Sequence, residues 1–494
     1  MQALKLFDDQ AEFVEKIREQ LRAGHKSILG VASPAFGKTV VAGHIIASAR
    51  ARSDASAWFL VHRKNLLRQT SKSFWDSKIE HGLLTSGRTR TLQPIQVGTI
   101  GTVYSRLKTL KAPTILFIDE AHLSCGNMFT KVIEWALAQG AIVIGLTGTP
   151  IRLDGKALGN LYQVMVEARP TSWLIEQGRL SRYKYFAAPH APDLSGIKKQ
   201  DGDYNREQLA EVMGKRVITG DAIAHWRQYA NGLRTVIYCC NVKHSKLTAQ
   251  AFNDAGIPTV HVDADTTEAE LKDACEGLAS GKYLAICNCE LVIEGFDLAM
   301  QSGKDITLDC CILLRPTQSI ARYLQMVFRA LRRKPKPAII LDHAGCALQH
   351  GFPDDHREWS LEGETKQQRK KREDEVKAKQ CDKCYAVFTP GPSHCPQCGE
   401  SLAGDGRKIE IVEGNLVEID IEAMRREQKR EQGSARTLTD LVALGLRRGI
   451  KKPAEWAAFT YAARQGGRKP TKDEFKQARD ALETLQPIWG VAHA

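Results

Sequence analysis

Val31-Ala32-Ser33-Pro34-Ala35-Phe36-Gly37-Lys38-Thr39-Val40 follows the apolar run Ser27-Ile28-Leu29-Gly30 and opens onto a helical pattern. A second apolar run, Thr114-Ile115-Leu116-Phe117-Ile118, ends in Asp119-Glu120-Ala121-His122. A loop between a strand and a helix aims backbone N–H groups and a helix N-terminus at a polyphosphate. Ala35, Phe36 and Gly37 form its tip, Lys38 can reach the β- and γ-phosphates, and the Thr39 hydroxyl can ligate Mg²⁺. Asp119 would hold the same metal, and Glu120 stands where a water-activating carboxylate belongs. Ala32 replaces the leading Gly of G-x-x-x-x-G-K-[ST], so Gly-Lys-Thr alone also suits an ordinary strand-to-helix turn. Paired with the acidic box, it predicts hydrolysis of a nucleoside triphosphate.

Composition bounds the rest. The chain has 494 residues, enough for several domains, and is 43% hydrophobic, enough for sizeable cores. No stretch approaches the roughly 20 apolar residues that span a bilayer. The first ten residues lack a signal peptide's apolar core. A soluble, cytoplasmic protein without a membrane partner is expected. The net charge of +13 suits a polyanionic partner. Thirteen cysteines in such a chain should be free thiols or metal ligands, not disulfides. Cys239-Cys240, Cys310-Cys311 and Cys287 lie in strand-like apolar runs and read as buried thiols.

Two stretches alternate short apolar strands with amphipathic helices, the pattern of parallel sheets covered on both faces. In the first, strands are predicted at Ser27–Val31, Ala57–Val61, Ile95–Val97, Thr114–Ile118 and Ala141–Leu146, with a helix marked by Phe13, Ile17 and Leu21. The second has strands near Thr235–Cys239, Thr259–Val262, Tyr283–Cys287, Cys310–Leu314 and Ala338–Leu341, and no phosphate loop. The fold class is therefore α/β, organised as an ATP-binding domain (1–154), a connector (155–214), a second α/β domain (215–350), a charged linker (351–379), a cysteine module (380–402) and a basic, mainly helical segment (403–494).

Further motifs run in a fixed order: Leu6-Phe7-Asp8-Asp9-Gln10, Val61-His62-Arg63, Thr147-Gly148-Thr149-Pro150-Ile151-Arg152, Glu294-Gly295-Phe296-Asp297 and Gln325-Met326-Val327-Phe328-Arg329-Ala330-Leu331-Arg332. With the two nucleotide motifs they resemble the superfamily 2 DEAD/DEAH-box helicases, above all phage and prophage DEAH helicases with a C-terminal zinc ribbon. That resemblance covers about residues 4 to 350 and implies two tandem RecA-like domains. It implies that Gln10 reads adenine and that Gly295 and Asp297 touch the nucleotide. His122, Thr147 and Thr149 would couple hydrolysis to domain movement. His62, Arg63 and Thr102 would contact the nucleic-acid backbone, and Arg329 and Arg332 would reach across to the γ-phosphate. It further implies 3′ to 5′ movement. Phe328 stands where the family has Gly, Gly101 where it has Gln and Gly148 where it has Ala.

Cys381-Asp-Lys-Cys384 and Cys395-Pro-Gln-Cys398 are two C-x-x-C pairs separated by ten residues. Four thiolates at this spacing favour one structural Zn²⁺, with His394 a bystander. Pro353-Asp354 with Glu375-Val376-Lys377 mimics a nuclease motif, but its Glu and Lys fall in a charged run. Asp201, Asp203 and Glu207 read as loop and helix-surface charges. Arg425, Arg426, Lys429, Arg430, Arg436, Arg447, Arg448, Lys451 and Lys452, followed by Trp456, Phe459 and Tyr461, fit either a solvated helical face or an accessory nucleic-acid grip. The expectation is an ATP-dependent helicase or translocase using ATP, Mg²⁺ and Zn²⁺ on single-stranded or branched DNA, with replication or recombination proteins as partners. The motor of a restriction-type nuclease and an ATP-switched clamp or loader are the alternatives.

Overall fold

The computed structural model describes residues 5–87, 92–123, 126–150, 157–187, 194, 196–200, 203–213, 216–289, 302–304, 306–362, 379–380, 387–388, 394, 399, 417–419, 430–448, 450, 452–465 and 468–489. Seven parallel strands form the first sheet: β1 (Ser27–Val31), β2 (Ala57–Val61), β3 (Gly82–Leu84), β4 (Ile95–Thr99), β5 (Ile115–Asp119), β6 (Ile142–Thr147) and β7 (Val164–Glu167). Their spatial order is β3-β4-β2-β5-β6-β1-β7. Every residue of β1 and β2 is buried, which is why these strands read as unbroken apolar runs instead of alternating ones. The helices are α1 (Asp8–Arg22), α2 (Lys38–Arg52) and α3 (Lys64–Asp76); α1 follows the apolar spacing and buries Phe13, Val14 and Ile17, whereas α2 is buried along residues 41–43 and 45–47. Asp8 and Asp9 in the first turn of α1 and Arg22 in its last complement the helix dipole.

Five further parallel strands lie in the order Thr259–Val262, Ala285–Asn288, Thr235–Tyr238, Cys310–Leu313 and Ala338–Asp342. This order repeats the β3-β4-β2-β5-β6 path of the first sheet, so the two stretches are copies of one topology. Cys239, Cys240, Cys287, Cys310 and Cys311 are buried free thiols, as their apolar runs imply. The 155–214 stretch is more than a connector. Its Val164–Glu167 adds the seventh strand to the first sheet through Ile28↔Val164 to Val31↔Glu167, and Thr171–Glu176 and Arg206–Met213 are helices.

The first sheet and these five parallel strands belong to one compact unit; a second comprises residues 184–191, 347–349 and 376–494. Within the second, Val417–Ile419 pairs antiparallel with the strand Tyr183–Ala187. Helices Leu438–Arg447, Pro453–Arg464 and Lys472–Trp489 close around Leu441, Val442, Leu444, Ala457, Ala458 and Ala478. Its basic groups are partly engaged: Arg448 pairs with Glu431 at 3.3 Å and Lys452 with Glu455 at 3.2 Å. Arg425, Arg426, Lys429 and Lys451 lie outside the described residues, as do Cys381, Cys384, Cys395 and Cys398. Among the described residues no helix is long and apolar enough to cross a membrane.

Candidate active site

Adjacent strands β5, β6 and β1 deliver their C-terminal ends to one place, where open α/β sheets bind ligands. The loop after β1 starts with the Ala32 N–H on the Thr147 carbonyl (2.9 Å), which fastens it to the end of β6. Two of its residues are left-handed, Ala35 (φ 66°) and Gly37 (φ 97°), and Gly37 caps α2. A Cβ on Gly37 would stand 2.6 Å from Gln10 Nε2. That amide donates to the Phe36 carbonyl at 2.8 Å and accepts the Phe7 N–H at 3.1 Å, so Gln10 braces the loop from behind. Phe36 points inward, 2% exposed and edge-on to Phe13 at 5.5 Å. Its side chain anchors the loop, leaving only its backbone for a phosphate. The Lys38 ammonium rests on the Ala32 carbonyl at 3.3 Å, folded over the loop's concavity.

Gly148 explains one family departure. A Cβ there would meet Pro34 Cδ at 3.0 Å and Cγ at 3.2 Å, so the proline in the loop takes the space an alanine methyl needs.

Asp119 ends β5 and Glu120 follows with φ 49°, a left-handed conformation that costs of order 1–3 kcal/mol and clusters at functional sites. Burial first, then the Glu120 carboxylate, push the Asp119 carboxyl up to about 6. Two neighbouring carboxylates and the Thr39 hydroxyl, one carboxylate held against its charge, are a hard-oxygen set that a divalent cation such as Mg²⁺ would relieve. Glu120 Oε2 lies 3.3 Å from His122 Nδ1, which lies 3.0 Å from Thr147 Oγ1. The Thr147 hydroxyl donates to the Thr149 carbonyl and accepts the Thr149 N–H, both at 3.1 Å. Its one proton thus used, it must accept from His122, which places the imidazole proton on Nδ1. His122 thus links the two motifs, hydrogen-bonded to Thr147 and within 3.3 Å of the Glu120 carboxylate.

A cleft of about 640 Å³ brings Lys38, Thr39, Asp119 and Glu120 together with Gln325, Phe328, Arg329 and Arg332. The last four lie on or just after the helix Ile320–Phe328, whose N-cap Ser319 accepts the Arg322 N–H at 3.2 Å. Phe328 is 3% exposed, buried with Val327 and Met326 although it borders the cleft. Asp203 corrects the sequence reading: far from a surface charge, it is 8% exposed and accepts from Thr317 Oγ1 (2.8 Å), the Gln318 N–H (2.7 Å) and Arg322. It pins the start of the helix that carries the arginines. Sequence reasoning also missed Gln69, Ser73 and Asp76 of α3, and Lys304, on the cleft wall; only their polarity could have signalled them.

The nucleic-acid candidates follow the C-terminal ends of two adjacent strands, His62 and Arg63 after β2 and Thr102 after β4, where Val61 pairs with Thr99. Arg63 is exposed at the N-cap of α3, whereas half-buried His62 lies close enough to lower the Asp119 carboxyl. Thr102 is 9% exposed, with its hydroxyl 2.9 Å from Thr99 Oγ1. Gly295 and Asp297 lie outside the described residues.

A family model described as "Type III restriction enzyme, res subunit" matches residues 3–152. A 51.5 kDa protein of a Lactococcus phage (isolate 7-9) is 31% identical over 397 residues, 78% of this chain and 83% of that one. A candidate ATP-dependent helicase of Saccharomyces cerevisiae, IRC3, is 25% identical over 346 residues, 66% of this chain but 49% of its own. The chain thus spans about half of that relative's length. The fold is shared with a fragment of a candidate HsdR subunit of a type I restriction enzyme from Vibrio vulnificus YJ016 (TM-score 0.54, 17% identity, 70% of this chain and 66% of that one). It is shared as well with the ATP-dependent Type ISP restriction-modification enzyme LlaBIII bound to DNA (TM-score 0.50, 16% identity, 69% and 28%). With its nucleotide motifs set on paired α/β sheets and a phage relative matched along most of its length, the chain belongs to the superfamily 2 helicases, a family of ATP-hydrolysing motors.

Proposed function

We propose that this chain is an ATP-driven DNA translocase that separates or remodels strands, moving 3′ to 5′. The observation that carries this is the single cleft where Lys38, Thr39, Asp119 and Glu120 of the first sheet face Arg329 and Arg332 of the second. Phosphoryl transfer needs positioning and charge stabilisation more than covalent chemistry. Lys38 and the loop backbone hold the β- and γ-phosphates, Thr39 and Asp119 hold Mg²⁺, and Glu120 orients the attacking water. Arg329 and Arg332 neutralise charge that develops on the γ-phosphoryl group. Because the two sets lie on different sheets, ATP draws the walls together and hydrolysis releases them. The His122–Thr147–Thr149 chain passes that change from Glu120 to the end of β6. A net charge of +13 and exposed Arg63 suit a phosphate backbone. DNA as substrate is further supported by the DNA-bound enzyme of like fold.

A second reading, the motor of a restriction system, is favoured by the family model over residues 3–152. ATPase, unwinding and cleavage assays across single strands, forks, Holliday junctions and RNA duplexes separate the readings. Displacement of a 3′-tailed strand with no cleavage is expected. Mg²⁺-dependent cleavage favours the restriction motor, and turnover with neither displacement nor translocation favours a clamp. Zinc rests on the spacing of Cys381, Cys384, Cys395 and Cys398 alone. One equivalent per chain is expected in protein purified without chelator, and metal analysis finding none would remove it.

A further inference from the structure

The chain passes from one α/β domain to the other between Leu174 and Leu180. Up to Leu174 it is tied to the first: β7 pairs with β1, Arg169 Nε donates to Glu12 at 2.8 Å, and the Arg179 N–H reaches the Leu174 carbonyl at 2.8 Å. From Leu180 it is tied to the second. Leu180 bridges Arg332 in antiparallel fashion, and the Ser181 N–H donates to the Leu331 carbonyl at 2.9 Å. The Ser181 hydroxyl meets the Lys336 carbonyl at 3.0 Å, and the Ala338 N–H donates to the Arg182 carbonyl at 2.8 Å. Leu180, Ser181 and Leu331 are each at most 2% exposed, so this stitching cannot slide without breaking buried hydrogen bonds.

Arg179 sits at the crossing and its side chain turns back. It forms an ion pair with Asp9 of α1 and lies over the Phe7 ring, 3.4 Å from the centroid. Asp9 is 4% exposed, so removing Arg179 would leave its carboxylate buried without that counter-charge. Gly178, before it, has φ 63°, a conformation that lets the chain turn sharply. Consecutive Cα atoms are about 3.8 Å apart, so a shift of Arg179 passes directly into Leu180 and on to the main chain of Arg332.

We propose that Arg179 is a positioning residue for the arginine fingers: clamped between Asp9 and Phe7, it fixes the strap Arg179–Arg182 and so sets how far Arg332 reaches into the cleft. The inference rests on the reading of Arg332 as a finger. It links the Phe7–Gln10 segment, which braces the phosphate loop through Gln10 and Phe36, to the opposite wall of the same cleft. Binding energy spent on the loop side is thereby spent on finger geometry.

The test is a kinetic double-mutant cycle on the full chain with Arg179→Ala, Arg332→Ala and the double variant, read as kcat and KM for ATP below each variant's melting transition. Misplacement by an ångström can cost about 100-fold in rate, so Arg179→Ala should lower kcat about 10- to 100-fold while KM changes far less. Arg179→Lys, which keeps the charge but not the planar stack, should restore part of it. In the Arg332→Ala background Arg179→Ala should cost little more, because the group it positions is gone. Losses that multiply in the double variant overturn the proposal, as does wild-type kcat in Arg179→Ala. Wild-type kcat in Arg332→Ala is a different signature: it overturns the finger reading first, and this proposal with it.

Discussion

Gly37 shows how one residue holds the nucleotide loop in shape. Its φ of 97° is costly for any side chain, roughly 1–2 kcal/mol, and a methyl would collide with the braced Gln10 amide. Gly37→Ala should weaken ATP binding about tenfold with only a small drop in melting temperature; calorimetric titration giving wild-type affinity would contradict the loop geometry. On the proposed function, Lys38 and Glu120 would separate binding from chemistry. Lys38→Ala removes the cation beside the phosphates and should lose affinity and turnover together. Glu120→Gln keeps the shape and should bind ATP normally without hydrolysing it. Nucleotide affinity and turnover measured separately distinguish the two, and normal hydrolysis in either variant contradicts the assignment. Ala35 and Glu120 adopt left-handed backbones without being glycine, so strain gathers at these motifs. That part of the site was invisible in the sequence, where neither residue type hints at φ.

At the scale of elements, the packing of a helix on the second sheet makes a pH prediction. His225 on the helix Arg216–Tyr229 stacks on His343, just after the strand Ala338–Asp342, with centroids 5.2 Å apart. Burial lowers His225 to about 4; burial and then the neighbouring His225 lower His343 to about 3. Both folded values lie below the ordinary 6.5 or so, so the unfolded chain takes up protons first as pH falls. Stability should therefore be lost from about pH 6.5 downward, by up to about 1.4 kcal/mol per pH unit for each imidazole. Thermal melts at pH 7 and pH 5 should show a smaller drop for His225→Phe with His343→Phe than for the natural chain; equal drops would contradict the buried, neutral pair. The strands were legible in sequence to within about two residues because parallel strands buried on both faces are solid apolar runs. Gly82–Leu84 and Val164–Glu167 were not, being short segments at the edges of the sheet that rely on a neighbour for definition. Asp203 was misread for a related reason: a carboxylate among polar residues looks solvated until Thr317, Gln318 and Arg322 are seen to surround it.

For the whole molecule, the sequence placed the nucleotide loop and the arginines in separate domains, and only the fold brings them to one cleft. What it could not convey is the path between them: the Arg179–Arg182 strap is polar, short and without a motif. The central claim is that ATP hydrolysis is a composite act, with binding groups on one sheet and charge-neutralising arginines on the other. The most direct test measures kcat and nucleotide affinity for Arg329→Ala and Arg332→Ala in the presence of saturating DNA. An arginine finger is worth about 10³-fold or more in rate, so kcat should fall by that order while ATP affinity stays within a few-fold. Wild-type turnover in both variants would contradict the account, because the cleft would then hydrolyse ATP from one wall alone.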